Sequence, residues 1–393
     1  MQRLHLCLPV MAEPFKNWIN QDVIAQMAHH IQRAWPRFPA AGFQQAALQG
    51  LDALELKARV NHVAQQLAQH LPADFAQSAD ILVRSLKRIP PPVFEHDPDK
   101  ALGELQTDDT GLAGWSVWIM GEYVATHGLD HPHDALPALH ALTQRSTAEF
   151  AIRPFLLRHP DLCFQTLQTW AHDPSAHVRR LVSEGSRPRL PWGLRLHPLV
   201  QDPSPCWPLI RQLQDDPSEY VRRSVANHLN DIGKDHPDLL VDWVKTHLSD
   251  ASPQRQKLLR HASRSLIKQA HPGMLAAWGL HRPFEGQVQL TLSSQRLRLG
   301  DDLHLTVHLQ ATSHKPQTVA LDYVVHHVRA NGGTSPKVFK GKEWTLDGRG
   351  AQQWHKRHSL KPVTTRTYYP GLHRVDVQIN GQVVATGQFE LLL

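Results

Sequence analysis

Trp115, Trp118 and Glu122 recur at three- and four-residue intervals within GLAGWSVWIMGEYVATHGLD (111–130). On a helix that spacing gathers all three on one face, with Trp118 and Glu122 at i and i+4. In one reading they are two core indoles beside a surface acid. In the other they form an aromatic shelf that stacks a planar cation while a carboxylate stands close by. A second pair lies in STAEFAIRPFLLRHPD (146–161), where Glu149 and Arg153 are also four residues apart. That pair suits either a helix-surface salt bridge worth roughly a few tenths of a kcal/mol or a phosphate grip, with Glu149 steadying the Arg153 guanidinium. Asp161, next to Pro160, reads as a helix cap.

The segment HVRRLVSEGSRPRLPWGLRL (177–196) holds Arg179, Arg180, Arg187, Arg189 and Arg195 against the single acid Glu184, and includes Trp192. Gly185, Pro188, Pro191 and Gly193 end the helix and leave Arg187, Arg189 and Trp192 on an extended loop. Arginine on a proline-punctuated loop with an aromatic suits phosphate clamping and stacking. With Arg222 and Arg223 it predicts a basic stripe along the concave wall of a helical solenoid. Other chemistry is not supported. Cys7, Cys163 and Cys206 form no CxxC pair, and phosphate-loop, dinucleotide, zinc-protease and serine-hydrolase motifs are missing. HPHDALPALH (131–140) reads as a loop with solvent histidines, so no metal and no cofactor are expected.

The elements that must position these residues change character near residue 284. Before it, apolar residues recur at helical spacing, as in LELKARVNHVAQQLAQHL (54–71) and PDLLVDWVKTHL (237–248). DPSAHVRRLV (173–182) and DPSEYVRRSV (216–225) are two copies of one pattern offset by 43 residues, with a degenerate third in SPQRQKLLRHA (252–262). In this pattern Asp serves as the helix cap and Pro falls in the first turn. An offset near 40–47 residues is that of HEAT-type repeats. After residue 284 the pattern alternates, in QVQLTLSS, LHLTVHLQA and HRVDVQI, with turns at NGG, DGRG and NG. The fold class is therefore mainly α: a HEAT-like helical-repeat solenoid over 1–283, then a C-terminal antiparallel β-sandwich of immunoglobulin-like size over 284–393.

The 393 residues carry 42 Lys+Arg against 36 Asp+Glu, a net +6 that permits a polyanionic partner. Residues 285–393 hold 13 basic and 8 acidic side chains, net +5, so most of the excess lies in the sandwich. No run of about 18 apolar residues is present, which argues against a membrane helix. The stretch before Met11 is too short for a signal peptide, and Met11 is an alternative start, so a reducing cytoplasm is expected.

ELKARVNHVAQQLAQHLP (55–72), WIMGEYVATHGLD (118–130), TAEFAIRPFL (147–156) and above all HVRRLVSEGSRPRLPW (177–192) resemble the AlkC-type alkylpurine DNA glycosylases. The resemblance covers about 11–280, and the sandwich is similar to the immunoglobulin-like domain of some members. It implies a HEAT-like fold that cradles duplex DNA containing alkylated bases and excises N3-alkylated bases, 3-methyladenine foremost. Trp118 and Glu122 match the tryptophan–carboxylate pattern it implies, and Arg153 its IRPF arginine; beside the reading of the residues, this makes Glu122 the expected catalytic carboxylate, Trp115, Trp118, Glu149 and Arg153 the substrate pocket, and the arginines with Trp192 the DNA contact. Where relatives are expected to carry an acid soon after the IRPF string, this chain has Leu157 and Arg158. A monofunctional, monomeric enzyme in the cytoplasm, at the nucleoid, is expected. The competing class is a non-catalytic HEAT-repeat scaffold that binds DNA or protein.

Overall fold

The computed structural model describes residues 14–89, 105–364 and 366–393; Cys7 and the alternative start at Met11 lie outside them. The chain forms two compact units, residues 1–235 with 252–262 and residues 236–251 with 263–393. The strands begin at Gly286, close to the change in sequence pattern, while the compact units divide earlier, around a helical insertion.

The first unit is helical. It opens with a 3-10 turn, Phe15–Trp18, followed by α1 (Gln21–Ala34), α2 (Ala40–Leu48), α3 (Leu56–His70) and α4 (Phe75–Arg84). Asn20 starts α1 by accepting the backbone N–H groups of Asp22 and Val23 at 3.1 Å each. Ile24, Met27, Ala28 and Ile31 then form its buried stripe. Next come α5 (Trp115–His127), α6 (Pro132–Thr143), α7 (Arg153–Arg158), α8 (Pro160–Trp170), α9 (Ala176–Gly185), α10 (His197–Gln201), α11 (Trp207–Leu213) and α12 (Glu219–Asp235). After α13 (Pro237–Leu248), which belongs to the second unit, α14 (Pro253–Ala262) returns to the first and packs on α12, as α12 packs on α9.

The repeated DPS strings lie two residues upstream of where helix-capping logic puts them. α9 starts at Ala176 with Ser175 as its N-cap, so Pro174 precedes the helix. Asp173 and Asp216 instead close tight turns, accepting the N–H of Ser175 at 2.7 Å and of Ser218 at 2.9 Å. The first arginine of each copy grips that turn. Arg179 donates to the carbonyls of Asp173 and Pro174, and Arg222 to those of Asp216 and Pro217.

Two local expectations are corrected. HPHDALPALH is not a loop: α6 runs through Pro137 because Ala135, Leu136, Ala138, Leu139 and Leu142 give it a buried face. Asp161 is not the cap of α8. His159 occupies that position, and Asp161 sits in the first turn, where the helix dipole favours an acid.

Among the described residues, the second unit carries α13, α15 (Arg264–Lys268), α16 (Pro272–Ala277) and eight strands: β1 (Gly286–Leu292), β2 (Arg296–Arg298), β3 (Asp302–Ala311), β4 (Gln317–Val328), β5 (Thr334–Leu346), β6 (Ala351–Ser359), β7 (Gly371–Ile379) and β8 (Gln382–Leu392). They form a three-stranded sheet, β1-β3-β6, and a five-stranded sheet, β2-β8-β7-β4-β5. Pairing is antiparallel except for short β2, which runs parallel to β8 at an edge. Strict alternation in β3 buries Leu303, Leu305, Val307, Leu309 and Ala311. These meet Tyr323, Val325, Val375 and Phe389 of the other sheet in one core. No disulfide is needed: apolar packing between the sheets holds the sandwich.

Candidate active site

Helix α5 follows its N-cap Gly114, whose φ of 69° is open to glycine but strained for other residues. The Gly114 N–H is held by the Arg145 carbonyl at 3.2 Å, which fixes where the helix starts. From that start, Trp115 and Trp118 follow on one face with ring centroids 5.9 Å apart, and Trp118 meets Phe150 at 5.8 Å. Trp18, from the opening 3-10 turn, meets Trp115 at 5.4 Å. The four rings make a continuous aromatic wall.

One turn beyond Trp118, half-buried Glu122 opens onto a cavity of about 610 Å3 bordered by Trp118, Phe150, Pro154, Trp192, Leu194 and Lys57. A second cavity of about 550 Å3 shares Trp118, Phe150 and Trp192, and adds Trp18, Trp115, Glu149, Glu184 and Arg187. The helix spacing thus puts Trp118 beside Glu122 on one cavity and Trp115 beside Trp118 on the other, so Trp115 and Glu122 do not share a cavity, nor do Glu122 and Glu149.

Glu149 and Arg153 do not pair. Residues 149–152 are a turn, so the i, i+4 geometry of a helix is absent there. Glu149 instead accepts from Arg180 and, at 2.9 Å, from Thr147 Oγ1. Arg153 is fully buried and donates to the carbonyls of Leu194 at 2.5 Å and Gly185 at 2.7 Å. Burial, then repulsion from Arg187, lowers its guanidinium to about 10. A phosphate cannot reach it; Arg153 is a strut beneath the 186–196 loop.

The basic stripe is largely an internal ion-pair network. Arg179 is 1% exposed and binds Asp216 at 2.6 and 3.0 Å. Arg180 lies over the Tyr220 ring between Glu149 and Glu184. Arg187 joins Glu184 at 2.6 Å to the fully buried Asp231 at 2.8 Å, and Arg189 pairs with Asp235. Burial alone would raise Glu184, but Arg180, Arg187 and a hydrogen bond from Ser224 hold its carboxyl below the usual range. Arg179, Arg180, Arg187 and Arg189 therefore shape the site from behind, their donors turned to buried or half-buried acids. Arg222 is half-buried on its turn carbonyls, and Arg223 is exposed beside Glu219. Arg195 is exposed.

At the mouth of both cavities stands Trp192, 85% exposed, with φ at 63°. A non-glycine residue in the left-handed region persists only where its surroundings enforce it. Here the loop is closed by Gly193 N–H to the Leu190 carbonyl at 3.2 Å and Leu196 N–H to Pro188 at 3.3 Å, with Arg153 below. Gly193 keeps the turn tight, since a Cβ there would sit 3.0 Å from the Leu190 side chain. Trp18, Lys57, Phe150 and Leu194 join the site without having been predicted. They lie on separate segments, and only the aromatic character of Trp18 and Phe150 hinted at a role.

A braced aromatic wall with flanking carboxylates, carried on helical repeats, is suited to planar, electron-poor rings. The family model described as "DNA alkylation repair enzyme" matches residues 144–266, and that of the YhaZ C-terminal Ig-like domain matches 287–393. The chain is 35% identical over 382 residues to the Bacillus subtilis (strain 168) protein described as "Uncharacterized protein YhaZ", covering 96% of this chain and 99% of that one. It superposes with a TM-score of 0.86 and 33% identity on the Pseudomonas fluorescens alkylpurine DNA glycosylase AlkC, solved bound to DNA containing an abasic site analog, covering 97% of this chain and 100% of that one. The chain belongs to the AlkC family of DNA alkylation repair enzymes.

Proposed function

We propose that this protein is a monofunctional DNA glycosylase of base excision repair that removes cationic N3-alkylated bases from duplex DNA, 3-methyladenine first and 3-methylcytosine second. The observation that carries this reading is Glu122, half-buried at the edge of a cavity walled by Trp118 and Phe150. A base alkylated at N3 carries positive charge, so the glycosidic bond breaks with its electron pair passing to the base, which leaves neutral. No general acid is required. The sugar becomes oxocarbenium-like, and a nearby carboxylate stabilises that charge. Glu122 fills this role and orients the water whose oxygen adds to the sugar carbon as its proton departs.

Trp118 stacks against the lesion or its deoxyribose. Exposed Lys57, Arg195 and Arg223 meet backbone phosphates, and the basic sandwich extends that grip. The lesion's own charge supplies selectivity, so base-reading contacts are unnecessary. The enzyme works as a monomer in the cytoplasm, at the nucleoid. Purified protein is expected to release free 3-methyladenine from methylated duplex DNA, and borohydride is expected to trap no covalent protein–DNA complex. DNA binding with no base released would favour the scaffold reading instead.

A further inference from the structure

The cavity that Glu122 does not border has a composition of its own. Trp18, Trp115, Trp118 and Phe150 succeed one another at 5.4, 5.9 and 5.8 Å; Trp18 meets Trp115 edge-on and the other pairs are tilted by 35°, so each ring keeps its own face for stacking. Two carboxylates border the same space, and both are fixed. Glu149, whose side chain is 12% exposed, takes Thr147 and Arg180 on Oε2 alone, which leaves Oε1 to accept. Glu184, 7% exposed, is held by Arg187 and Ser224, each at 2.6 Å. Because Arg187 is itself neutralised by Asp231, the cavity gains little net charge from this network. What it offers is aromatic faces and oriented acceptors. A volume of about 550 Å3 is ample for a single base.

We infer that this cavity is a binding site for the free base: a planar methylated heterobase with an exocyclic amine, stacked on the Trp18 indole where it meets Trp115 edge-on, and donating that amine to Glu149. The identity of the ligand rests on the glycosylase reading, since cleavage is what sets such a base free. The arrangement separates two tasks. The Glu122 cavity meets the charge that grows on the sugar, and the Glu149 cavity takes the leaving group once it is neutral. A base without the amine, such as hypoxanthine, leaves the Glu149 acceptor unmatched and binds more weakly.

The test needs no DNA. Full-length protein is titrated with free 3-methyladenine and with hypoxanthine by tryptophan fluorescence and calorimetry, in wild type and in Trp18→Ala, Trp18→Phe and Glu149→Gln. Saturable binding of one 3-methyladenine per chain is expected, weakened at least ten-fold in Trp18→Ala and for hypoxanthine, and largely kept in Trp18→Phe. Glu149→Gln is expected to weaken the methylated base more than hypoxanthine, a split that loss of folding would not produce. Absence of saturable binding while excision proceeds overturns the inference and leaves the glycosylase reading intact. Equal affinity in Trp18→Ala also overturns it, as does loss of binding in Glu122→Gln, which would put the base in the other cavity. Base binding without excision supports this site and counts against the enzyme.

Discussion

At the scale of single residues, the readable part of the site was the part carried by one regular element. Trp115, Trp118 and Glu122 share a helix, so spacing alone puts Trp118 next to each of the other two. The arginines were misread for the opposite reason. Their partners lie far along the chain, Asp216 being 37 residues from Arg179 and Asp231 44 from Arg187, and no local rule distinguishes a clamped guanidinium from a free one. Arg153 is the clearest case: its motif was legible, its direction was not. Since it supports the loop that carries Trp192, Arg153→Lys removes one of two carbonyl contacts and lets the indole drift. The expected result is a 10- to 100-fold slower excision step, roughly what a 1 Å misplacement costs. Single-turnover rates beside a melting curve check this, and an unchanged rate would reassign Trp192.

At the scale of elements, the repeat was legible but its joint was not. The 43-residue offset correctly pairs α9 with α12, yet the Asp-Pro-Ser string proved to be a turn gripped by arginine rather than a cap. The α9–α12 interface is tied by Arg187 between Glu184 and Asp231, all at most 7% exposed by side chain. Removing one partner of such a cluster leaves buried charge uncompensated. Arg187→Ala is expected to cost about 3–5 kcal/mol in urea unfolding, whereas Arg223→Ala, half exposed beside Glu219, should stay within about 0.5 kcal/mol. Similar losses for the two variants would contradict the burial assigned here. Gly114→Ala should destabilise by roughly 1 kcal/mol through strain at its positive φ, with the larger effect on excision, because α5 starts from that residue. An unaltered excision rate would separate the start of α5 from the geometry of the site.

At the scale of the whole molecule, composition foretold two architectures, and alternation in β3 and β7 is as plain in the sequence as in the fold. What it could not show is that the sandwich buries His327, His358 and His373 around Arg366, whose guanidinium faces His327. Burial first, then Arg366, lowers His327 to about 3 and His358 to about 4, and burial lowers His373 as well. Above pH 7 these rings are neutral in both folded and unfolded chains and carry no penalty. As pH falls below 6.5, the unfolded chain takes up protons that the folded one refuses, and stability drains until the folded values are reached. Each histidine contributes at most about 1.4 kcal/mol per pH unit in that window. Melting temperature is therefore expected to drop between pH 7 and pH 5, less so in a His358→Gln variant; a flat profile would contradict the buried cluster.

The proposed base removal is the property of the molecule to which all of this leads, and in that proposal it turns on Glu122. The decisive measurement is single-turnover release of 3-methyladenine from a defined duplex, wild type against Glu122→Gln, with DNA affinity determined in parallel. The amide keeps the shape and loses the charge, so release should slow by about 10²–10³ while binding changes less than two-fold. Equal release by the two proteins would contradict the role given to this carboxylate.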